Sequence, residues 1–580
     1  MLRPCLVGAA AGVFAAVAIA STPALATPCT NLTSLNLEHA TITSAADNAS
    51  GTFVVPGSNP PQTFTQLPAF CRVTATLTPT SDSAIKVELW LPETTWNGRF
   101  LGTGGGGFQG VITYSELAIG IQAGFAAANS DLGTGISGCN PLFCGSDGNM
   151  GNQLAIDFGD PPNPTTGLFG HPERIKDFGY RAIHLMTVQG KAIANAFYQA
   201  SAGKSATKAY FAGCSTGGQN ALMEAQRFPD DYDGILAGAP AFNRTHLHMA
   251  AINLWQDTHA SPGRFIQPGQ MSLINKAVLA ACVGRDGGAA TDQFLTDPRD
   301  CHFDPKVLQC TAGNAPPACL TSEQVTTMRK YYAGTIDPVN GQLISVGSER
   351  GNETDNVLAL GLALQEQLPE PAFDGLFYWV FGPGFGYPGS AHNFTNFDFH
   401  RDVDTVDDQL AAVLNATSTD LDEFREHGGK LIIYHGWADP LIPSQTSINY
   451  FNALVARERG GVLPASFGGG NDPGLARTQR YARLFMAPGL YHCSGGPGPN
   501  VFDALTPLVN WVEQGKAPET IIATKFVGDT PPAIEMTRPL CVYPKVARYN
   551  GAGSTSVAAN FTCVADEPDF NQTPAPKYGP

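Results

Sequence analysis

Between Ile85 and Leu91 the chain reads IKVELWL, with apolar and polar residues alternating as in a strand. Before it, residues 27–80 hold polar and β-prone stretches bounded by turns. Arg99-Phe100-Leu101 opens the next strand, which runs into Gly102-Thr103-Gly104-Gly105-Gly106-Gly107-Phe108. A further strand, Gly124 to Asn129, precedes a loop containing Cys139 and Cys144. From Asp177 to Phe197 the pattern becomes that of a long amphipathic helix, with Ile183, Met186, Val188 and Ile193 among its apolar positions. A short strand at Ala209–Phe211, a helix at Gly217–Phe228 and a strand at Tyr232–Ala237 follow. This β-turn-α-β series predicts an α/β fold, a mostly parallel sheet with helices on its faces.

The rhythm breaks near residue 243. From there to 418 the chain carries Cys282, Cys301, Cys310 and Cys319, Pro-rich turns and an aromatic stretch from Phe373 to Phe399, without clean strand–helix alternation. This stretch reads as an inserted cap or lid. A buried-type strand in Gly428–Tyr434 resumes the α/β rhythm. Helix Ser444–Arg459, strand Tyr481–Ala487 and a closing helix Val501–Gln514 follow, and the tail past 550 is loop-like. The expected organisation is a leader over 1–26, a catalytic domain in two parts (27–242 and 419–580), and a lid over 243–418. No internal repeat is visible.

Composition sharpens this in three ways. First, a formal charge of -16 disfavours nucleic acid and anionic membrane surfaces as partners. Second, Arg3, the apolar run Val7–Ile19 and the small-x-small site Ala24-Leu25-Ala26 form a cleavable secretory leader. A retained anchor is the alternative, but no later apolar run reaches membrane length. Third, removing Cys5 with the leader leaves 12 of the 13 cysteines, an even number in an oxidising compartment. Disulfides are the natural reading; zinc would ask for ligand spacings the chain lacks. The location expected is secreted, or periplasmic in a Gram-negative cell. Eight Asn-x-Ser/Thr sequons, at Asn31, Asn48, Asn243, Asn352, Asn393, Asn415, Asn560 and Asn571, suit a secreted glycoprotein.

Candidate chemistry centres on Gly213-Cys214-Ser215-Thr216-Gly217, a Gly-x-Ser-x-Gly string between an expected strand and an expected helix. That context is the nucleophile elbow, with the serine held at a helix N-terminus. A serine nucleophile needs a base and an orienting carboxylate, which in α/β-hydrolases follow it in the order acid, then histidine, on loops after strands. Asp439 follows the strand Leu431–Tyr434, and His492 follows Tyr481–Ala487. His435 is the rival base, placed before the acid at the strand end. Cys214 directly precedes Ser215, and Cys493 directly follows His492. If these cysteines pair, their Cα atoms lie within about 7 Å and clamp nucleophile to base; pairing elsewhere is the alternative.

These motifs resemble the tannase and feruloyl esterase family. The likeness rests on the Cys214-Ser215 pair, Asp439, the His492-Cys493 pair, the loop Gly104–Phe108, and the segments Gly428–Asp439 (GGKLIIYHGWAD) and His492–Asn500 (HCSGGPGPN). The resemblance implies an α/β-hydrolase fold with a lid inserted between nucleophile and acid. It implies the pairings Cys29–Cys71, Cys214–Cys493, Cys282–Cys301, Cys310–Cys319 and Cys541–Cys563, and leaves Cys139–Cys144 as an extra bridge. The oxyanion hole is expected at the backbone N–H groups of Thr216 and of Gly106 or Gly105.

No cofactor is expected for catalysis. The family's structural calcium loop is matched only in part, since Val283 follows Cys282, Asp286-Gly287 fits the middle, and Asp292 fits after an insertion. Asp286 and Asp292 are the candidate calcium ligands. The lid aromatics Tyr378, Trp379, Phe381, Phe385, Phe394 and Phe397 are candidates to line a pocket for a planar acyl group. The partner implied is a small ester of a hydroxycinnamic or hydroxybenzoic acid, free or attached to polysaccharide or tannin. A non-catalytic binding protein on a hydrolase scaffold, or a serine peptidase, is the alternative.

Overall fold

A computed structural model describes residues 29–49, 51–108, 110–135, 171–354, 376–382, 385, 392–461 and 472–566. The leader, Cys139, Cys144 and Asn571 lie outside the described residues.

Nine strands form the central sheet: β1 (Ala40–Asn48), β2 (Phe70–Leu77), β3 (Ile85–Pro92), β4 (Arg99–Thr103), β5 (Ala126–Ser130), β6 (Lys208–Cys214), β7 (Gly234–Gly238), β8 (Lys430–Gly436) and β9 (Ala482–Ala487). Their order across the sheet is β1-β2-β3-β5-β4-β6-β7-β8-β9. The first three form an antiparallel meander, with Leu77 opposite Ile85 and Phe70 opposite Pro92. From β5 to β9 every neighbouring pair is parallel. Strands β7 and β9 are buried on both faces, which explains their continuous apolar runs.

Helix α1 (Tyr114–Gln122) joins β4 to β5, and α2 (Ala182–Ala202) covers one face of the sheet. The expected helix from Asp177 to Phe197 is present and longer at both ends: a helical turn at Pro172–Lys176 and a π-helical turn over Asp177–Arg181 lead into α2. Val188, read as an inward apolar position, is 40% exposed, because it stands about 200° around the helix from buried Met186. Helix α3 (Thr216–Arg227) links β6 to β7.

Between β7 and β8 lie α4 (Arg244–His259), α5 (Pro268–Cys282), α6 (Ser322–Ala333) and α7 (Asp402–Leu414). Met271, Ile274, Val278, Leu320 and Met328 give this stretch an apolar cluster of its own. Glu349, also in this stretch, is buried, and its Oε1 accepts from Gln445 N–H at 2.7 Å. Burial pushes its carboxyl up to about 7 from an ordinary 4.5. The folded chain therefore holds this proton more tightly than the unfolded chain, and stability falls as pH rises from 4.5 towards 7. Glu349→Gln is expected to stabilise at pH 8, by on the order of 2 kcal/mol, and to change little at pH 4.5. Thermal melts at the two pH values check this.

After β8 come α8 (Gln445–Glu458) and, past β9, α9 (Leu505–Gln514). The closing helix begins at Leu505, later than expected, because Val501 exchanges backbone hydrogen bonds with Thr524 and is held as strand-like chain. Two hairpins then follow: β10 (Thr520–Phe526) with β11 (Ile534–Cys541), and β12 (Lys545–Tyr549) with β13 (Phe561–Ala565). The tail read as loop past 550 thus contains a strand. Only Phe561 of β13 is buried, so no alternation announced it. Among the described residues no helix is long and apolar enough to cross a membrane.

Candidate active site

Strand β6 ends at Cys214 and α3 begins at Thr216, so Ser215 occupies a one-residue turn between them. Its φ of 65° and ψ of -120° place a non-glycine residue in strained backbone. The strain is held by packing too close for side chains. A Cβ on Gly213 would sit 2.6 Å from Gly217 O, and one on Gly218 would sit 2.3 Å from Gly238 O. Backbone bonds from Ser215 N–H to Gly238 O (3.0 Å) and from Gln219 N–H to Ser215 O (3.0 Å) lock the turn.

Strands β8 and β9 carry the other two groups on the loops beyond their C-terminal ends. Asp439 is buried, and its Oδ1 accepts from Leu441 N–H at 2.8 Å and Ile442 N–H at 2.9 Å. Its Oδ2 lies 2.8 Å from His492 Nδ1 and 3.2 Å from His435 Nε2. Burial alone would raise this carboxyl, but the charge of His492 and the hydrogen bonds of both histidines outweigh it and hold it far below the usual carboxylate range. With Nδ1 bonded to Asp439, His492 has Nε2 left for proton transfer.

His435 has a different place. It is fully buried, with Nδ1 2.7 Å from Ser447 Oγ and Nε2 3.0 Å from Ile442 O. Its Nδ1 is tied to α8 and its Nε2 to Asp439 and the loop that follows, so the rival base sits as a support for the acid. Asn352 is a second support that sequence reading missed, donating from Nδ2 to Asp439 O at 3.2 Å. Locally it is only the first residue of a sequon; at 1% exposure, like Asn393 at 3%, it has no room for a glycan.

The bridge Cys214–Cys493 is formed, with Cα atoms 6.0 Å apart. It brings Ser215 and His492 to one cavity of about 1220 Å³, which both line. Among the described residues no hydrogen bond closes the step from Ser215 Oγ to His492 Nε2, a link that is often long before substrate enters. Cys29–Cys71, Cys282–Cys301, Cys310–Cys319 and Cys541–Cys563 are also bonded.

The glycine loop after β4 meets the start of α3. Gly104 faces Gly217 so closely that a Cβ on Gly104 would lie 2.4 Å from Gly217 Cα. Gly217 N–H donates to Gly105 O at 2.7 Å, and Thr216 Oγ1 donates to Gly107 O at 2.6 Å. Gly105, Gly106 and Thr216 all line the cavity beside Ser215. Thr216 N–H is the first of the helix, where no preceding turn supplies an acceptor. The six aromatics proposed for the acyl pocket are not among the residues lining this cavity. They pack in the main core, with Trp379 against Phe108 and Phe178, and Phe385 against Phe381 and Tyr378.

The candidate calcium ligands do not fit that ion. Asp286 already accepts from Gly284, Gly288 and Thr296 N–H groups. Asp292 accepts from Ala289 N–H, and its other oxygen is 2.7 Å from the guanidinium of Arg538. That guanidinium is buried, donates also to Thr555 O, and lies 3.8 Å over the Phe561 ring. Two carboxylates satisfied by N–H donors, beside a fixed cation, fall short of six to eight oxygens. A chelator is therefore expected to leave the melting temperature unchanged. Arg538→Met is expected to cost about 3 kcal/mol, the scale for stranding one half of a buried ion pair. Melts with and without EDTA check both.

The model for "Tannase and feruloyl esterase" matches residues 71–564. An uncharacterized esterase of Xanthomonas campestris pv. campestris is 35% identical, over 94% of this chain and 93% of its own. A probable feruloyl esterase B-1 of Aspergillus flavus is 31% identical, over 85% and 86%. The crystal structure of feruloyl esterase B from Aspergillus oryzae superposes with a TM-score of 0.75 at 26% identity, covering 91% of this chain and 98% of that one.

Proposed function

Because the chain belongs to the tannase and feruloyl esterase family and is a carboxylic ester hydrolase, we propose that it works through an acyl-enzyme on Ser215. The observation that carries this reading is the single cavity in which the Cys214–Cys493 bridge sets Ser215 beside a histidine already bonded to Asp439. His492 Nε2 takes the Ser215 proton as Oγ attacks the ester carbonyl. The carbonyl oxygen, now negative, is received by the N–H of Thr216 and one from the glycine loop, which we assign to Gly106. As the tetrahedral state collapses, His492 returns the proton to the departing alcohol, leaving the acyl group on Ser215. Water then attacks, with His492 as base again, and the free acid is released. Asp439 stays ionised throughout and holds the imidazole tautomer.

The substrates proposed are esters of aromatic acids of the hydroxycinnamic or hydroxybenzoic type. The cavity supports this in size, and its apolar side chains include Leu247, Leu441 and Ile442. The name of the Aspergillus flavus relative points the same way. We read residues 243–418 as the lid over the site. The disulfides support a secreted or periplasmic location. A panel of methyl ferulate, methyl caffeate, methyl gallate and mono(2-hydroxyethyl) terephthalate tests the substrate class. Turnover of at least one well above that of an aliphatic methyl ester is expected. A preference for aliphatic esters overturns the aromatic assignment, and faster cleavage of the matching amide makes the chain a peptidase.

A further inference from the structure

Arg244 is the first residue of α4, lines the cavity at Ser215 and is 2% exposed. A guanidinium taken out of water ordinarily faces a carboxylate, since a buried unpaired charge is costly. Among the described residues no acidic group acts on this one, and burial pulls its ionisation down to about 9. It remains charged at neutral pH, a cation inside the site with no carboxylate against it among the described residues.

Its contacts are specific. Nε donates to Gln219 Oε1 at 2.8 Å. Nη2 donates to Gly107 O at 3.2 Å and to Thr216 Oγ1. Phe108 and Phe178 hold the plane, with ring centroids 5.4 and 4.8 Å from Cζ. Thr216 Oγ1 in turn donates to Gly107 O. Guanidinium, hydroxyl and carbonyl thus close a triangle that joins the first turn of α3 to the end of the glycine loop. Those are the two pieces that supply the N–H groups assigned above to the oxyanion.

We infer that Arg244 is a positioning residue for the oxyanion hole, fixing Thr216 and the glycine loop while its positive charge favours the anionic tetrahedral state. The inference rests on the reading of Ser215 as nucleophile. The charge matters little to a neutral ester and much to the oxyanion in a site shielded from water, so the effect belongs in kcat and not in KM.

The test uses the full chain with Arg244→Met and Arg244→Lys, assayed on one neutral methyl ester and on one ester that also bears a free carboxylate. Arg244→Met is expected to lower kcat at least about 30-fold with KM within about 3-fold, on the scale of losing one oxyanion contact. An arylboronic acid, which forms an anionic tetrahedral adduct with a serine, should weaken by a similar factor, and Arg244→Lys should recover part of both. Should Arg244→Met not fold, the lysine variant alone decides, because it keeps charge but loses the fork of donors. An unchanged kcat and boronate affinity overturns the inference. So does a rise in KM confined to substrates bearing a carboxylate, which makes Arg244 a substrate-binding group. Stoichiometric labelling of Ser215 by a fluorophosphonate in each variant separates these outcomes from failure of the nucleophile assignment.

Discussion

Replacing Ser215 by alanine is expected to leave a folded chain that hydrolyses esters at least about 10⁴-fold more slowly, the scale for removing a triad nucleophile. The turn at Ser215 is held by glycine packing and backbone bonds, none of which involves its hydroxyl. Alanine keeps the backbone and removes only Oγ, so circular dichroism and the melting temperature should stay close to wild type. What remains is catalysis by binding and the oxyanion donors alone. Steady-state kinetics on whichever aromatic ester the panel selects provides the measurement.

The second large effect is expected from Cys214→Ser combined with Cys493→Ser. The bridge spans 279 residues, so the entropy model credits it with at most about 5–6 kcal/mol through restriction of the unfolded chain. It also holds the base to the nucleophile. Ser215 and Cys493 both have positive φ, 65° and 62°, so the clamp joins two strained turns. Without the bridge the loop after β9 loses its tie to the elbow. We expect kcat to fall at least about 100-fold, as a misplacement near 1 Å costs in a preorganised site, together with a lower unfolding midpoint. Denaturant titration and kinetics on the double variant check both. Loss of stability with full activity would show that the bridge serves folding alone.

How much of this was legible in the sequence varies with the range of the interaction. The elbow was legible because strand, glycine turn and helix are consecutive in Lys208–Arg227. The loop positions of Asp439 and His492 were legible because each follows a mostly apolar strand of the parallel sheet. The five bridges seen among the described residues follow the pairings that the family resemblance implied. His435 was ambiguous, since a histidine four residues before the acid fits either a base or a support. Only its burial and its bonds to Ser447 and Ile442 decide between them. Asn352 lies 87 residues before Asp439, and Arg538 lies 246 residues after Asp292, distances at which no local pattern carries information. Asp292 illustrates this, because the cation facing it comes from β11, outside any local calcium-loop pattern. Arg244 belongs to no motif, and its place against Thr216 and Gly107 exists only in the folded chain.

The central claim is that Ser215, activated by His492 and Asp439, is acylated by the substrate. Its most direct test is mass spectrometry of the intact protein quenched in acid during turnover, followed by peptide mapping. The account predicts a mass increase equal to the acyl group, located on the peptide containing Ser215 and absent from Ser215→Ala. Ester turnover with no acylated species, or with the acyl group on another residue, would contradict it.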